Sequence, residues 1–236
     1  MAHAGGAVWE TEYTGPVRES EFQVGGATIR LVRPADPDRL LDDAAVLAWN
    51  RADDYMPYWA YLWPGAWLLA EAVAREPRAV GLPEALEIGC GLGLAGLTAA
   101  SRGWRVRFTD YDEAPLRYVV ASARASGLDP ASIATARLDW RDPPAERFPL
   151  ILGADVLYER RLVPLVAGAI AAMLAPDGLA LIADPYRVSA EGIDAALAPR
   201  GLVCETEPVA TTAPELGPIR GTLRRIRFEK KRLLKG

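Results

Sequence analysis

Leu86-Glu-Ile-Gly-Cys-Gly-Leu-Gly-Leu-Ala-Gly96 is the stretch that decides the fold class of this chain. It continues an apolar run of strand length at Ala85–Ile88 and leads into a helical pattern at Leu94–Ser101. Glycines at a strand-to-helix turn allow a tight turn and let the backbone approach a ligand closely. Asp110 ends the next predicted strand, where a carboxylate can accept hydrogen bonds from both hydroxyls of a ribose. The stretch therefore predicts the nucleotide-type turn of an open α/β sheet.

Two ligands compete for these glycines. Gly91-x-Gly93-x-x-Gly96 matches the dinucleotide fingerprint, which cradles a pyrophosphate. Glu87-x-Gly89-x-Gly91-x-Gly93 instead matches the loop that binds S-adenosylmethionine. An acid two residues before the first glycine suits a ligand that carries an ammonium and a sulfonium, and it is unfavourable beside a pyrophosphate. Glu87 therefore favours the second interpretation.

Strand and helix patterns alternate on both sides of this loop. The apolar runs of strand length are Ala85–Ile88, Val106–Thr109, Ile133–Leu138, Leu150–Ala154 and Leu179–Ala183. The helical patterns between them are Leu94–Ser101, Glu113–Ser126 and Arg161–Leu174. This rhythm predicts βαβ units and a parallel sheet with helices on both faces.

The C-terminal end breaks the rhythm. A short helical pattern at Ser189–Ala198 is followed by two predicted strands, Leu202–Val209 and Thr222–Phe228. The loop expected between them, residues 210–221, is too short for an ordinary crossover helix, so the two strands should be antiparallel. The prediction is a Rossmann-like, seven-stranded, mostly parallel sheet whose last strand is reversed.

The first 54 residues are predicted to form an extension that packs on the core, and residues 55–236 the main domain. Phe22–Val24 and Thr28–Val32 flank Gly25-Gly26, a hairpin signal. Residues 34–54 are acidic and helix-prone, and a dense aromatic stretch, Tyr55–Gly65, follows.

Composition excludes several classes of protein. The chain has 27 Lys and Arg against 31 Asp and Glu, a formal net charge of −4, so a nucleic-acid partner is not expected. Its single histidine, His3, and its two cysteines, Cys90 and Cys204, argue against a Ser-His-Asp hydrolase, a Cys-His protease and a His-ligated metal site.

The basic stretch from Arg220 onward is interpreted as an edge strand protected by charge. Neither a signal peptide nor a membrane span is expected, which predicts a cytoplasmic protein.

Five segments together carry a family resemblance: Pro57-Tyr-Trp-Ala-Tyr-Leu-Trp-Pro64, the glycine loop, Thr109-Asp-Tyr-Asp112, Leu138-Asp-Trp140 and Asp155-Val-Leu-Tyr158. Over roughly residues 55–230 the chain resembles class I, seven-strand S-adenosylmethionine-dependent methyltransferases. Within them it resembles the protein-lysine methyltransferase branch that includes the electron-transfer-flavoprotein β-subunit lysine methyltransferase. The Trp-Pro segment and the Asp-x-x-Tyr signature are the specific features, since the glycine loop is common to the whole class.

The resemblance implies S-adenosylmethionine as cofactor, S-adenosylhomocysteine as product, and no metal. Asp155 and Tyr158 are the expected catalytic residues, and Tyr58 and Trp59 the expected substrate contacts. Asp110 would bind the ribose, Trp140 would lie against the adenine, and Asp139 would reach the adenine amino group. The expected cofactor contacts are Trp63, Glu87, Gly89, Cys90, Gly91, Gly93, Asp110, Tyr111, Asp139, Trp140 and Ala154.

Several of these residues have a second interpretation. A helix beginning at Asp155 would place Asp155 and Tyr158 on one face, where a carboxylate and a phenol suit an incoming amine. Alternatively, Asp155 caps a helix that continues through Glu159 and Arg160. Trp63 lies beside the cofactor or plugs the core. The aromatic patch around Tyr58 lines a substrate channel or forms the buried face of an N-terminal cover. Cys90 is interpreted as a small residue of the loop rather than a reactive thiol.

The function expected from these patterns is methyl transfer to a lysine side chain of a protein, by a chain expected to be a monomer. A small amine is the alternative acceptor, and a non-catalytic S-adenosylmethionine-binding protein is a further alternative. A nicotinamide-dependent oxidoreductase is the distant one, because the second half offers neither a histidine nor a Tyr-x-x-x-Lys motif.

Overall fold

The computed structural model describes residues 12–81 and 83–229, which form nine strands and six α-helices. The strands are β1 (Val17–Val24), β2 (Ala27–Pro34), β3 (Glu84–Ile88), β4 (Arg105–Asp110), β5 (Ile133–Arg137), β6 (Phe148–Ala154), β7 (Leu174–Asp184), β8 (Leu202–Ala213) and β9 (Gly217–Phe228). The helices are α1 (Ala44–Asp53), α2 (Pro64–Arg75), α3 (Leu94–Ser101), α4 (Ala114–Ala125), α5 (Val163–Met173) and α6 (Ile193–Leu197).

Seven of these strands form one sheet in the order β5-β4-β3-β6-β7-β9-β8. The pairs among β3 to β7 are parallel, and β9 is antiparallel to both of its neighbours. The predicted fold class is therefore confirmed, including the reversed last strand. The chain enters at β3, builds outward to β5, and returns to continue at β6. This reversal makes the carboxyl ends of β3 and β6 the switch point, where open α/β sheets bind ligands.

The core lies on both faces of the sheet, because successive side chains of a strand point to opposite faces. On β6, Leu150 and Leu152 join the cluster under α2, α3 and α4, whereas Ile151 joins the cluster under α5 and α6. Strands buried on both faces are apolar at consecutive positions. This explains why the central strands could be predicted from the sequence as short apolar runs.

The predicted hairpin is present and longer than its apolar positions indicated. β1 pairs with β2 from Val17↔Pro34 to Val24↔Ala27, with Gly25-Gly26 at the turn. The hairpin is attached to α4, because the N–H of Val32 donates to Ser122 of α4 and the N–H of Arg30 donates to Ser126, directly after that helix, each at 2.9 Å. The acidic segment after it divides into a 3-10 turn at Pro37–Asp42 and α1, whose first turn Asp43 caps.

The predicted long loop between the last two strands is wrong. β8 and β9 pair without interruption from Leu202↔Phe228 to Ala213↔Gly217. β7 pairs with β9 only between Thr222 and Ile226, so the remainder of β9 forms a two-stranded ribbon with the edge strand β8. Pro214 lies in the turn between the two strands, and Pro218 lies on the part of β9 that has no β7 partner, where proline is tolerated as on an edge strand. The Pro- and Gly-rich composition was therefore mistaken for a loop.

The interpretation of the basic stretch as an edge strand is also wrong. β9 lies between β7 and β8, and its Arg224 is buried in an ion pair with Asp184 of β7. His3 and residues 230–236 lie outside the described residues. Within the described part of the chain, no helix has the length and hydrophobicity of a membrane span, and no three His, Cys, Asp or Glu side chains cluster as metal ligands would.

Candidate active site

The glycine loop connects β3 to α3 at the switch point of the sheet. Gly89, Gly91 and Gly93 have φ values of 57°, 49° and 74°, a conformation that side chains rarely adopt. A Cβ built on Gly89 would lie 3.0 Å from the Trp140 ring and 3.2 Å from Val156. The loop is therefore in contact with residues that follow β5 and β6. Three sequence motifs that are far apart in the chain meet at this point.

Glu87 is buried beneath the loop, with 2% of its surface exposed. Its carboxylate accepts a 3.1 Å hydrogen bond from the N–H of Gly96 at the start of α3. A Cβ on Gly96 would lie 2.4 Å from that carboxylate and 2.4 Å from the Phe108 ring, so close packing explains this glycine. Burial raises the pKa of Glu87 to about 8. In the structure the Glu87 side chain thus connects β3 to the first turn of α3, and its direct contact with the cofactor stays a prediction.

Glu87 also bears on the choice between the two ligands. A dinucleotide site needs free N–H groups at the start of the helix for the pyrophosphate. Here the buried carboxylate of Glu87 occupies the Gly96 N–H, one of the donors at the start of α3. This bond is unfavourable for a pyrophosphate, whereas the Gly89-Gly91-Gly93 register matches the three left-handed positions of the loop.

Asp110 ends β4 beside the loop, as predicted. Its carboxylate accepts hydrogen bonds from the N–H groups of Gly91 at 2.9 Å and Asp112 at 3.2 Å. These donors fix its orientation, and a carboxylate has further lone pairs for ribose hydroxyls. Burial raises the pKa of Asp110 to about 6, although both backbone donors oppose that shift. Burial also raises the pKa of the Cys90 thiol, which fits the interpretation of Cys90 as a packing residue.

The expected adenine side contains two arginines that sequence reasoning missed. The guanidinium groups of Arg137 and Arg141 lie 4.9 and 5.5 Å from the centre of the Tyr111 ring. Arg141 also binds both oxygens of Asp139, at 2.8 and 2.6 Å, and so lowers the pKa of that carboxyl. The available signal was the Asp139-Trp140-Arg141 sequence, since a surface Asp and Arg two residues apart can pair.

Asp155 follows Ala154, the last residue of β6, in the left-handed conformation at φ 55°. One of its carboxylate oxygens accepts a 2.6 Å hydrogen bond from the N–H of Gly65. The other accepts from the guanidinium of Arg187 at 2.9 and 2.8 Å. Burial raises the pKa of Asp155, and Arg187 acts against that shift. The structure therefore places a buried, cation-paired carboxylate at the end of β6, adjacent to the glycine loop through Val156.

Two expectations about Asp155 are wrong. It does not share a helix face with Tyr158, because its left-handed backbone precludes a helix and the next helical turn begins at Arg160. Nor does it cap its own helix, since its bonds go to Gly65 in the first turn of α2 and to Arg187 after β7. Gly65 was missed as a site residue. Its position directly after Trp63-Pro64, at the start of a predicted helix, was the available signal that another segment approaches its backbone closely.

The aromatic patch is divided between a rim and the interior. Tyr58 and Tyr158 are 38% and 37% exposed, and their rings are in edge contact at 5.4 Å. Trp63 lies 5.7 Å from the Tyr58 ring and donates its indole N–H to the Tyr58 carbonyl at 2.7 Å. Trp59, in contrast, is 6% exposed and packs on Tyr118. Its side chain faces the interior, so its predicted contact with the substrate finds no support in this geometry.

The residues present fit S-adenosylmethionine. The loop approaches with glycine backbone, Asp110 holds a carboxylate for two hydroxyls, and the ring of Trp140 lies against Gly89. The Asp155 carboxylate, paired with Arg187, lies on the same edge of the sheet.

The chain matches the family model described as lysine methyltransferase over residues 60–192. It is 28% identical to protein-lysine N-methyltransferase rrg1 of Schizosaccharomyces pombe, over 57% of this chain and 51% of that protein. It is 27% identical to the electron transfer flavoprotein beta subunit lysine methyltransferase of Xenopus laevis, over 56% and 53%. The chain thus spans about half the length of the curated relatives it matches.

Solved structures show the same fold at low sequence identity. The 16S rRNA methyltransferase RsmC of T. thermophilus has a TM-score of 0.60 at 16% identity, covering 90% of this chain and 51% of that one. A TehB-like SAM-dependent methyltransferase from Corynebacterium glutamicum has a TM-score of 0.51 at 19% identity, covering 78% and 98%. With the family model matching more than half of its residues, this chain belongs to the lysine methyltransferase family.

Proposed function

We propose that this chain transfers the methyl group of S-adenosylmethionine to a lysine side chain of a protein. The observation that carries the proposal is the position of Asp155. Its buried carboxylate lies at the switch point next to the glycine loop and already holds a cation. Family membership and the two protein-lysine methyltransferase relatives support the choice of lysine.

Binding of the cofactor requires only residues already described. Asp110 would accept the ribose hydroxyls, the backbone of the glycine loop would hold the cofactor, and Trp140 would pack against the adenine ring. Tyr111 is held on this side by Arg137 and Arg141. When bound, S-adenosylmethionine supplies an activated methyl group on a sulfonium, so the protein needs no strong nucleophile.

The protein's own task is to receive and align the amine. Asp155 pairs with the incoming ammonium, and the rim formed by Tyr58, Tyr158 and Trp63 excludes water around it. An amine attacks only when neutral, and lysine has a reference pKa of about 10.4. Desolvation by the aromatic rim lowers the pKa of the bound amine, whereas the Asp155 carboxylate raises it by favouring the ammonium. The amine gives its proton to solvent at the partly exposed rim before methyl transfer. Held in line with the sulfonium, the neutral nitrogen would form the N–C bond as the C–S bond broke, with the electron pair staying on sulfur.

A radiolabelled methyl-transfer assay tests the proposal. Purified protein is incubated with methyl-labelled S-adenosylmethionine and a cell lysate, and the labelled protein fraction is hydrolysed. We expect labelled Nε-methyllysine. Label confined to small molecules would replace the protein acceptor by a small amine. If S-adenosylhomocysteine does not bind in calorimetry while NADH does, the cofactor assignment itself is overturned.

A further inference from the structure

The Arg187 side chain occupies the cation position of the Asp155 carboxylate in the structure. Its guanidinium makes two contacts of 2.9 and 2.8 Å with one oxygen of Asp155, while Gly65 holds the other oxygen. It also lies 5.7 Å from the centre of the Trp63 ring. A cation paired with a carboxylate beside an aromatic face is the environment that an alkylammonium would need.

A carboxylate without a cationic partner at this position would destabilise the folded protein. The Asp155 side chain is 8% exposed, and a buried charge left without a partner is strongly destabilising. Arg187 removes this destabilisation when no substrate is bound. An incoming ammonium that took its place would preserve the charge balance of the site, whereas a neutral acceptor would leave the carboxylate unpaired.

The backbone around Arg187 is anchored, so only its side chain needs to move. The Arg187 N–H donates to Asp184 at 2.7 Å, and Asp184 is fully buried in its ion pair with Arg224. The Asp155 N–H donates to Ala183 at 2.9 Å. The Arg187 side chain, in contrast, is 28% exposed, which leaves it a route into solvent by rotation about its own bonds.

We propose that Arg187 is an internal occupant of the acceptor site, and that the substrate's ammonium displaces its guanidinium from Asp155. The exchange makes Arg187 a specificity-determining residue, because only a cation can replace it without stranding the carboxylate. Acceptors that react through a hydroxyl, thiol or carboxyl group are thereby disfavoured. This inference rests on the proposed function, since it assumes that the acceptor amine binds at Asp155.

A cofactor analogue provides a probe that needs no knowledge of the natural substrate. Sinefungin carries an amine on the carbon that replaces the sulfonium, directed to the acceptor side, and S-adenosylhomocysteine lacks it. The ratio of their dissociation constants, measured by calorimetry, reports how readily Asp155 accepts an external cation. The variants are Arg187→Met, which removes the charge, and Arg187→Lys, which retains it. Arg160→Met is the control, because Arg160 is an exposed arginine five residues after Asp155.

In Arg187→Met we expect sinefungin affinity to rise relative to S-adenosylhomocysteine by about tenfold, because a site that is open in only a fraction of the molecules binds with an affinity reduced to that fraction. Arg187→Lys and Arg160→Met should keep the wild-type ratio within about twofold. An unchanged or lowered ratio in a folded Arg187→Met protein would mean that Arg187 stays on Asp155 and would overturn the inference. Failure of the wild-type protein to bind S-adenosylhomocysteine would instead overturn the proposed function, so the two failures are distinguishable.

Discussion

The N–H of Gly65 donates a 2.6 Å hydrogen bond to the carboxylate of Asp155, 90 residues later in the chain. This bond joins the Trp-Pro segment at the start of α2 to the Asp-x-x-Tyr segment after β6. It places a carboxylate at the positive end of a helix, a favourable position for an anion. The two most specific sequence features of the family resemblance are therefore parts of one structure.

Gly65→Ala should disturb this contact directly. A Cβ at Gly65 would lie 2.3 Å from the Asp155 carboxylate and 2.9 Å from the Ala183 carbonyl, so Asp155 must shift. We expect destabilisation of about 1–3 kcal/mol and a larger loss of turnover than of cofactor affinity. Gly168→Ala is the control, because its nearest neighbour, the flexible side chain of Arg200, lies 3.8 Å away. Urea unfolding and single-turnover methyl transfer measure the two effects. Equal behaviour of both variants would show that the contact is unimportant.

Asp155→Asn should separate catalysis from cofactor binding. The amide can still accept the Gly65 bond, but it cannot pair with a cation. We expect the S-adenosylhomocysteine dissociation constant to change by less than about threefold, and turnover to fall by about a hundredfold or more. Calorimetry and single-turnover kinetics give both values. If binding collapsed while turnover per bound cofactor stayed normal, Asp155 would be a purely structural residue.

Asp110 predicts a pH-dependent cofactor affinity. Its carboxylate accepts hydrogen bonds best when ionised, and burial raises its pKa to about 6 in the free protein. Affinity for S-adenosylhomocysteine should therefore be constant near pH 8 and should fall as the pH drops through about 6. Asp110→Ala should weaken binding by about a hundredfold and remove this pH dependence, because it removes two charge-assisted hydrogen bonds. Binding that stays tight and pH-independent in the variant would exclude Asp110 from the site.

Glu87 predicts a loss of stability at high pH. Burial raises its pKa from 4.5 to about 8 in the folded protein, so the folded state binds this proton more tightly than the unfolded chain does. The resulting stabilisation is complete below pH 4.5 and is lost as the pH rises through about 8. Glu87→Gln keeps an acceptor for the Gly96 N–H but cannot bind or release a proton. It should therefore remove this pH dependence of the free energy of unfolding, which amounts to on the order of 1.4 kcal/mol per unit of pKa shift.

Urea unfolding of the wild type and of Glu87→Gln between pH 5 and pH 9 measures the difference. Glu205→Gln is the matched control, because Glu205 is exposed on the edge strand β8. We expect its curve to run parallel to that of the wild type. Parallel curves for Glu87→Gln as well would contradict the protonated state that burial imposes on Glu87.

The elements that could be predicted are those whose cause is local. Left-handed glycines require a tight turn wherever they occur, and strands buried on both faces are apolar at consecutive positions. Gly89, Gly91 and Gly93 and the short runs around them therefore predicted the loop, the parallel sheet and the position of Asp110. The last two strands were recognised but shortened, because Pro214, Gly217 and Pro218 indicate a loop unless it is known that both strands continue as a ribbon to a tight turn at residues 214–216.

The sequence by itself thus determined the fold class, the ligand-binding edge and the residue types that reach it, because these follow from periodicity and backbone freedom within a few neighbouring residues. Only the tertiary structure decided which residues bind the Asp155 carboxylate. It also decided that Tyr58 lies on the rim of the site whereas Trp59 is buried. Gly65, Asp155 and Arg187 come from three separate segments that the return of the chain from β5 to β6 brings together. Contacts of this kind depend on the packing of the whole sheet, which no local pattern records.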